Sequence, residues 1–580
     1  MRLTAPLLVS LLGIPLIAGT ASADPLEIDA DDIGPRWEGV NFHDNFGWRV
    51  VGPGDLNGDG LSDFAVAGPQ DDGPSTFDST VRVFLGRTER PPGIRLAEWS
   101  DATFIDAGSS DDSVFRFAII PDATGDGEPD VLVAEPNASS AGLAYLYAGE
   151  PDWNTDQTAA DAVNRWRGYE QEEYPDLADQ TRPSDVVGGD FDGDGLSDIA
   201  IASVLFNRVW VDYSADGFGG NVVLSDLSYF SDCIDEFPGA SFGTALAVGD
   251  FNDDSRADLA VGAPGCDSDA GQVQIFYGGD GGLPAEADLI INGGDRIGSR
   301  LFADDLDGDG DDDLFVQELG TGDNENKGGL WIFLGGAGGL SASPSVTVTA
   351  GFSDGRLGAS VAVLDDISNP SDGIPELVVG SPEASLSGVG QGAVYVFEGQ
   401  DPWPAELQVG DAKYRVDGSG LNNWFGHSLA TLSDFNGDGY PEIVVGEPNF
   451  SAENSENEFH RGRIYLFNSL PDRDEDGDNV STLNGDCDDT DPAVRPGVLE
   501  ECNGYDDNCN HETDEGCGDD DDDDDATDDD DATAPPPGDD DDSEGGCDCA
   551  SSLVDTESTP TGFALMLALT ALGLYRRRTL

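Results

Sequence analysis

Basic side chains are scarce in this chain: 26 Lys and Arg stand against 117 Asp and Glu, a formal charge of -91 at pH 7 over 580 residues. Such a polyanion repels nucleic acid and anionic lipid and favours divalent cations. Histidine is scarcer still. The four present, His43, His427, His460 and His511, are scattered and form no H-E-x-x-H pair. His427 is expected to be a packing or turn residue. No G-x-S-x-G elbow occurs, and glycine-rich stretches such as Gly335–Gly339 lack the lysine and following helix of a phosphate-binding loop. The chain is therefore not read as an enzyme; the opening left for catalysis is a glycosidase-type carboxylate pair hidden among so many acids. Helical periodicity is scarce as well, and long apolar runs are confined to the two ends.

Those two ends carry address signals rather than folded structure. Arg2, the apolar run Leu7–Ala18 and the small residues Ala21, Ser22 and Ala23 read as a secretory signal cleaved after Ala23. At the other end an apolar run from Gly562 to Tyr575 precedes Arg576, Arg577 and Arg578. As a helix that run would span only ~20 Å, short of a bilayer core of ~30 Å. A trimmed sorting or anchoring signal fits better, with the basic cap on the cytoplasmic side. Export permits disulfides among the eight cysteines. Cys233 and Cys266 flank one acidic loop and are a candidate pair. Cys487, Cys502, Cys509 and Cys517 form a separate cluster of open connectivity, and Cys547 and Cys549 stand near the end.

What the chain has in abundance is a nine-residue acidic loop, written six times in register and followed each time by a short apolar strand. The copies begin at Asp55, Asp122, Asp190, Asp250, Asp305 and Asp434. A degenerate seventh, Asp366 to Glu376, fills the one large gap and carries an insertion and Pro370. Oxygen side chains stand at positions 1, 3, 5 and 9, with Gly usually at 6, and position 7 can offer a backbone carbonyl. The ligand sets so predicted are Asp55, Asn57, Asp59, Leu61 and Asp63; Asp122, Thr124, Asp126, Glu128 and Asp130; Asp190, Asp192, Asp194, Leu196 and Asp198. Three more follow: Asp250, Asn252, Asp254, Arg256 and Asp258; Asp305, Asp307, Asp309, Asp311 and Asp313; Asp434, Asn436, Asp438, Tyr440 and Glu442. All-oxygen sets of this kind suit calcium, which takes 6–8 oxygens at about 2.3–2.6 Å. An EF-hand is excluded, because position 12, where it needs a bidentate Glu, holds Val66, Val133, Ile201, Val261, Val316 or Val445. Turn-forming chemistry alone explains one Asp/Asn/Gly loop but not six in register.

The loop starts lie 55–68 residues apart, a period that fits a four-stranded blade. Runs such as Phe64–Ala67, Val131–Ala134 and Ile443–Gly446 read as strands buried on both faces. Later runs such as Val81–Gly86, Val273–Gly278 and Ile464–Asn468 read as alternating strands. The fold class is therefore all-β, a seven-bladed β-propeller, with residues about 28–48 available to close the ring.

Phe46-Gly47, Phe242-Gly243 and Phe425-Gly426 precede loops, and Gly262-Ala263-Pro264 follows one. Variants of the second mark are Ala67-Gly68-Pro69, Gly380-Ser381-Pro382 and Gly446-Glu447-Pro448. Over roughly residues 28–470 this resembles the FG-GAP repeat of the integrin alpha-subunit propeller, which implies calcium in hairpin loops on one face. Repeat 3 lacks clear marks and repeat 5 has Ile297-Gly298 alone. Residues 472–517 resemble an Asp/Cys metal-binding motif of secreted myxobacterial proteins, with Asp472, Asp474, Asp476, Asp478, Asp486, Asp488, Asp489 and Asp491 as its oxygen donors. The terminus resembles a MYXO-CTERM sorting tail, which implies processing near Cys547 or Cys549.

The expected organisation is a signal peptide (1–23), the propeller (24–470), the Asp/Cys module (471–517), a disordered polyacidic linker (518–546) and a sorting or anchor segment (547–580). About four to six calcium ions are expected in the propeller, with more in residues 472–517. The expected protein sits at a bacterial cell surface, outer-membrane-associated or released, and binds a surface protein or polysaccharide in adhesion. A structural calcium-binding coat and a polysaccharide-active enzyme are the alternatives. No nucleic-acid partner is expected, and membrane contact only through the terminal anchor.

Overall fold

The computed structural model describes residues 26–467 apart from 30–35, 40–43, 69–79, 89–93, 97–99, 106–115, 137–141, 150–152, 154–156, 169–182, 215–217, 219, 225–226, 231–239, 320–327, 351–354, 368–372, 386–389, 438 and 452–459, and also residue 494. The chain divides into two units, Met1–Cys517 and Gly518–Leu580, the second wholly outside the described residues. The expected signal peptide, polyacidic linker and sorting tail lie outside them too, as does the Asp/Cys module apart from residue 494.

Seven separate sheets make up the propeller. Blade 1 runs Arg49–Gly54, Asp63–Gly68, Thr80–Phe84 and Ala102–Ile105, antiparallel throughout. The first strands of the following blades are Arg116–Ile120, Asp185–Gly189, Leu246–Gly249, Ile297–Asp304, Ser360–Leu364 and Ser428–Leu432. One channel is lined from all seven. Among the described residues, helix is limited to a turn at Cys266–Asp269, a 3-10 turn at Val409–Asp411 and the single 3-10 residue Leu224.

The ring closes where the sequence left a strand over. Arg36–Glu38 lies antiparallel to Arg463–Phe467 and becomes the fourth strand of blade 7, with Trp37 opposite Ile464. First and last blade are thereby sewn together, and the ring is closed. A second device recurs at four junctions. The segment entering the fourth strand crosses to the preceding blade and adds a parallel fifth: Ile94–Leu96 on blade 7, Gly220–Val223 on blade 2, Glu406–Gln408 on blade 5 and Leu26–Asp29 on blade 6.

The second strands are buried on both faces, as their unbroken apolar runs require. Asp63–Gly68, Asp130–Glu135, Asp198–Ser203, Asp258–Ala263, Glu376–Ser381 and Glu442–Glu447 have every residue buried. Of the third strands, Thr80–Phe84 alternates over its first four residues, and others depart from the alternation expected of them. Ala393–Phe397 and Arg463–Phe467 are buried throughout, and Gln272–Phe276 at all but one position. Apolar clusters lie between neighbouring blades and cover both faces, so even Gln274 and Arg463 are inside. Arg463 keeps its charge satisfied there by donating to Glu38 at 2.7 Å and to the Tyr465 hydroxyl at 2.9 Å.

The Phe-Gly and Gly-Ala-Pro marks turn out to be two halves of one contact between blades. The Gly298 carbonyl oxygen lies 2.1 Å from where a Cβ on Gly262 would stand, and the Gly47 carbonyl 2.2 Å from one on Gly446. Only glycine admits that approach. Phe46 and Phe425 are buried beside it. Ile297-Gly298 and Leu357-Gly358 play the same part in blades 5 and 6, with Gly298 at φ +82° and Gly358 at φ +76°.

Candidate metal-binding loops

Each acidic loop is the connection from the first to the second strand of its blade, so all seven emerge at one end of the channel. Local geometry follows from position 1, whose carboxylate caps the turn. Asp190 accepts from the amides of Gly193 at 2.7 Å, Asp194 at 3.0 Å and Gly195 at 2.8 Å. The same pattern holds at Asp55, Asp122, Asp305 and Asp434. Position 5 caps position 7: Asp59, Asp126, Asp194, Asp254 and Asp309 accept from the amides of Leu61, Glu128, Leu196, Arg256 and Asp311 at 2.9–3.0 Å.

Position 9 does something the spacing did not reveal. Asp63, Asp130, Asp198, Asp258 and Asp313 are almost wholly buried. One oxygen of each accepts the amide of position 2, as from Leu56 at 2.7 Å and Phe251 at 2.9 Å. The other takes an amide just beyond the third strand: Gly86, Gly149, Ser214, Gly278 or Gly335, at 2.7–2.9 Å. The residue pins the loop to two strands of its own blade. Burial outweighs those hydrogen bonds and pushes Asp63, Asp198, Asp258 and Asp313 up to about 7 and Asp130 to about 6. The degenerate seventh copy keeps the same skeleton, since Ile367 donates to Glu376 at 3.0 Å and Gly373 to Asp366 at 2.5 Å.

Donor atoms converge in two loops. Carboxylate oxygens of Asp190, Asp192 and Asp194 lie within 4.8 Å of one another, as do those of Asp305, Asp307 and Asp313. In blade 3 position 9 stands outside the cluster, and in blade 5 it is part of it. Burial first, then Asp194, raises Asp192, and burial, then Asp309, raises Asp307; gathered like charges want a cation or a proton. Thr124 is turned to Asp130 at 3.2 Å and Asn252 to Asp258 at 3.4 Å. The Arg256 guanidinium lies 3.7 Å from Asp254 and pairs with Asp280, placing a positive charge beside that loop. Asn57 donates to Asp59 at 3.1 Å, and Asn436 to Glu442. Asp438 and the set Asp472–Asp491 lie outside the described residues. The all-oxygen, multiply anionic donor set fits a hard divalent cation.

Two further features of the loop follow from its sequence. Position 4 is also left-handed: Gly58, Gly193 and Gly308 have φ of +70° to +76°, but in blade 4 Asp253 and Ser255 hold positions 4 and 6 at φ 59° and 65°. Position 8 links the loops. The amides of Ser62, Ser197, Ala257 and Asp312 donate to the carbonyls of Asp434, Asp122, Asp190 and Asp250, the first residue of the preceding blade's loop, at 2.8–2.9 Å. Position 8 is Pro129, Pro375 or Pro441 in the other three blades, and proline has no amide hydrogen to give. Of the histidines, His427 is a packing residue as expected, lying against Trp48 and Trp424 with Nδ1 3.0 Å from the Trp48 carbonyl. Cys266 is disulfide-bonded to a partner outside the described residues, where Cys233 also lies.

A family profile for the FG-GAP repeat matches residues 242–276 and 425–467, and one described as "Putative metal-binding motif" matches residues 486–515. Human phosphatidylinositol-glycan-specific phospholipase D is 34% identical over 231 residues, 37% of this chain and 27% of that protein. Integrin alpha-5 of Xenopus laevis is 30% identical over 220 residues, 35% of this chain and 20% of that protein. The chain thus spans less than a third of either relative. A solved structure of BBS1N in complex with ARL6DN covers 74% of this chain and 92% of its own at 10% identity and a TM-score of 0.38, too low to add to the fold assignment.

Proposed function

We propose that this FG-GAP repeat propeller, similar to that of integrin alpha subunits, is an exported cell-surface binding protein whose acidic loops hold calcium. The observation that carries the reading is the pair of three-carboxylate clusters, set by a repeated loop on one face of a closed ring. Positions 1, 3, 5 and 9 would hold the ions, with Asp190, Asp192 and Asp194 and with Asp305, Asp307 and Asp313 as the best-formed sets. Bound calcium supplies the positive charge that cancels repulsion among three or four carboxylates. The chain's own amides hold those carboxylates in place, so each loop has one shape to present. At millimolar calcium, sites of about 10⁻⁴–10⁻³ M affinity are occupied.

The partner is a surface protein or a polysaccharide, and the role is adhesion. Part of the chain is also similar to a phospholipase, but the shared stretch is 27–32% of that enzyme in four mammals, and its chemistry is not carried over. The test is binding of the full chain to envelopes of the producing cells, in millimolar calcium and in chelator. Saturable binding lost in chelator is expected. Equal or absent binding in both conditions overturns the adhesion reading and favours a coat protein or an enzyme.

A further inference from the structure

The scarce cations are not spread evenly. Arg49, Arg116 and Arg300 all line the channel, on the first strands of blades 1, 2 and 5. Arg49 lies opposite Ala67 and Arg116 opposite Ala134, each the fifth residue of its second strand. Asp185, Ser360 and Ser428 occupy the same level in blades 3, 6 and 7, opposite Ala202, Gly380 and Gly446. Arg300 stands in the bulge between the Ile297–Glu318 and Leu301–Val316 pairs. Because the acidic loops join the far end of each first strand to the second, this ring belongs to the opposite end of the channel. The cavity measures about 380 Å³, ample for a small ligand.

Counter-charge there is short. Arg49 Nη1 lies 3.3 Å from Asp185 Oδ1, whose other oxygen already accepts the Leu246 amide at 3.0 Å. Arg116 donates Nε to the Ser184 carbonyl at 3.0 Å, a neutral partner. Arg356 is paired outward with Glu383 at 3.1 Å. The Arg300 guanidinium has neither a hydrogen bond nor an ion pair to any described residue. We propose that this end of the channel is a binding site for one oxyanion group of a small ligand, a carboxylate or a tetrahedral sulfate or phosphate, gripped by Arg300 and Arg116 with Arg49 beside them. Guanidinium forks suit such groups, and the part-buried position of these side chains in the channel strengthens the attraction. The positive field is felt by neighbours. Burial, then Arg116, Arg49 and Arg356, holds Arg300 down at about 10, and burial, then Arg300 and Arg356, keeps His427 neutral with its titration at about 3. The proposal does not depend on calcium or on adhesion, since it uses none of the loop residues.

The test is a titration of the calcium-loaded full chain with sulfate and, separately, with acetate, at constant ionic strength set with chloride. Tryptophan fluorescence is the direct readout, because Trp48 lines the cavity, and melting temperature is the second. Saturable binding of at least one anion is expected, weakened about tenfold or more by R300Q and in the same direction by R116Q. K413Q, which removes a cation paired with Glu398 outside the channel, should leave it within about twofold. Preference for sulfate or for acetate identifies a tetrahedral or a planar group. No saturable response to either anion, or a response that a folded R300Q or R116Q leaves unchanged, overturns the proposal. If R300Q fails to fold, R116Q decides.

Discussion

The two ends of the channel carry opposite charge and handle it in opposite ways. At the loop end, like charges are crowded, and backbone amides meet both carboxylate oxygens at positions 1 and 9, as at Asp190 and Asp63, and one oxygen at positions 3 and 5, as at Asp192 and Asp194. The loop shape is therefore built before any cation arrives, and the cation removes the remaining repulsion. At the arginine end the side chains have few fixed partners, and Asp185 is the one acid of the ring. A crowded site with internal hydrogen bonds is a rigid receptor for a counter-ion, whereas a crowded site without them is a site waiting for one.

Calcium removal should have the largest effect on that contrast. At 5 mM calcium a site of 10⁻⁴–10⁻³ M affinity contributes about 1–2 kcal/mol, and several sites together should shift Tm by roughly 5–10 °C. Calorimetry in calcium and in chelator measures it, and an unchanged Tm would show that the loops hold no ion. Next comes D190A, which deletes three amide contacts along with a ligand. It should cost about 2–4 kcal/mol in calcium and reduce the calcium response. D366A in the degenerate loop should cost less and leave that response intact, and denaturant titration of the two variants side by side tests the difference.

Acidification should separate the states with and without metal. The position-9 acids titrate at about 6–7 in the fold, above the unfolded carboxylate near about 3.9. The folded chain binds their protons more tightly, so its stability without calcium is greatest below about pH 4 from this source and is lost as pH rises through 7. Melting in chelator should thus occur at higher temperature at pH 5.5 than at pH 8. Calcium requires the charged forms, so the calcium-induced gain should shrink over the same interval.

Smaller effects lie at single residues. S255G relieves a left-handed backbone at position 6 of the blade 4 loop and should stabilise by about 0.4–1 kcal/mol, measured by urea unfolding. R300Q should raise Tm slightly in chloride by removing one of several mutually repelling guanidiniums, and that gain should vanish when sulfate is present. A fall in Tm in chloride would instead mean that Arg300 already has a stabilising role.

Much of the fold was legible. The six-residue second strands were marked by apolar runs long enough to need cover on both faces, and Asp63 through Glu442 by their place one loop-length after position 1. The alternation expected of the third strands failed at Gln274 and Tyr465, whose polar atoms make them look like solvent-facing positions. Only a neighbour from another blade shows that they are inside. Position 9 looked like a fourth ligand, and its spacing could not disclose that Gly86 and Leu56 donate to it, since Gly86 lies 23 residues further on.

By itself the sequence determined the repeat, the loop chemistry and the closed all-β ring, because periodicity, turn residues and oxygen donors act over a few neighbouring residues. Tertiary structure alone decided which residues meet. It brought Arg49, Arg116 and Arg300, scattered over 251 positions, to one level of one channel. It also joined the amide of Ser62 to the carbonyl of Asp434 across the closure. Such contacts depend on how seven blades are packed around an axis, and no local pattern in the chain records that arrangement.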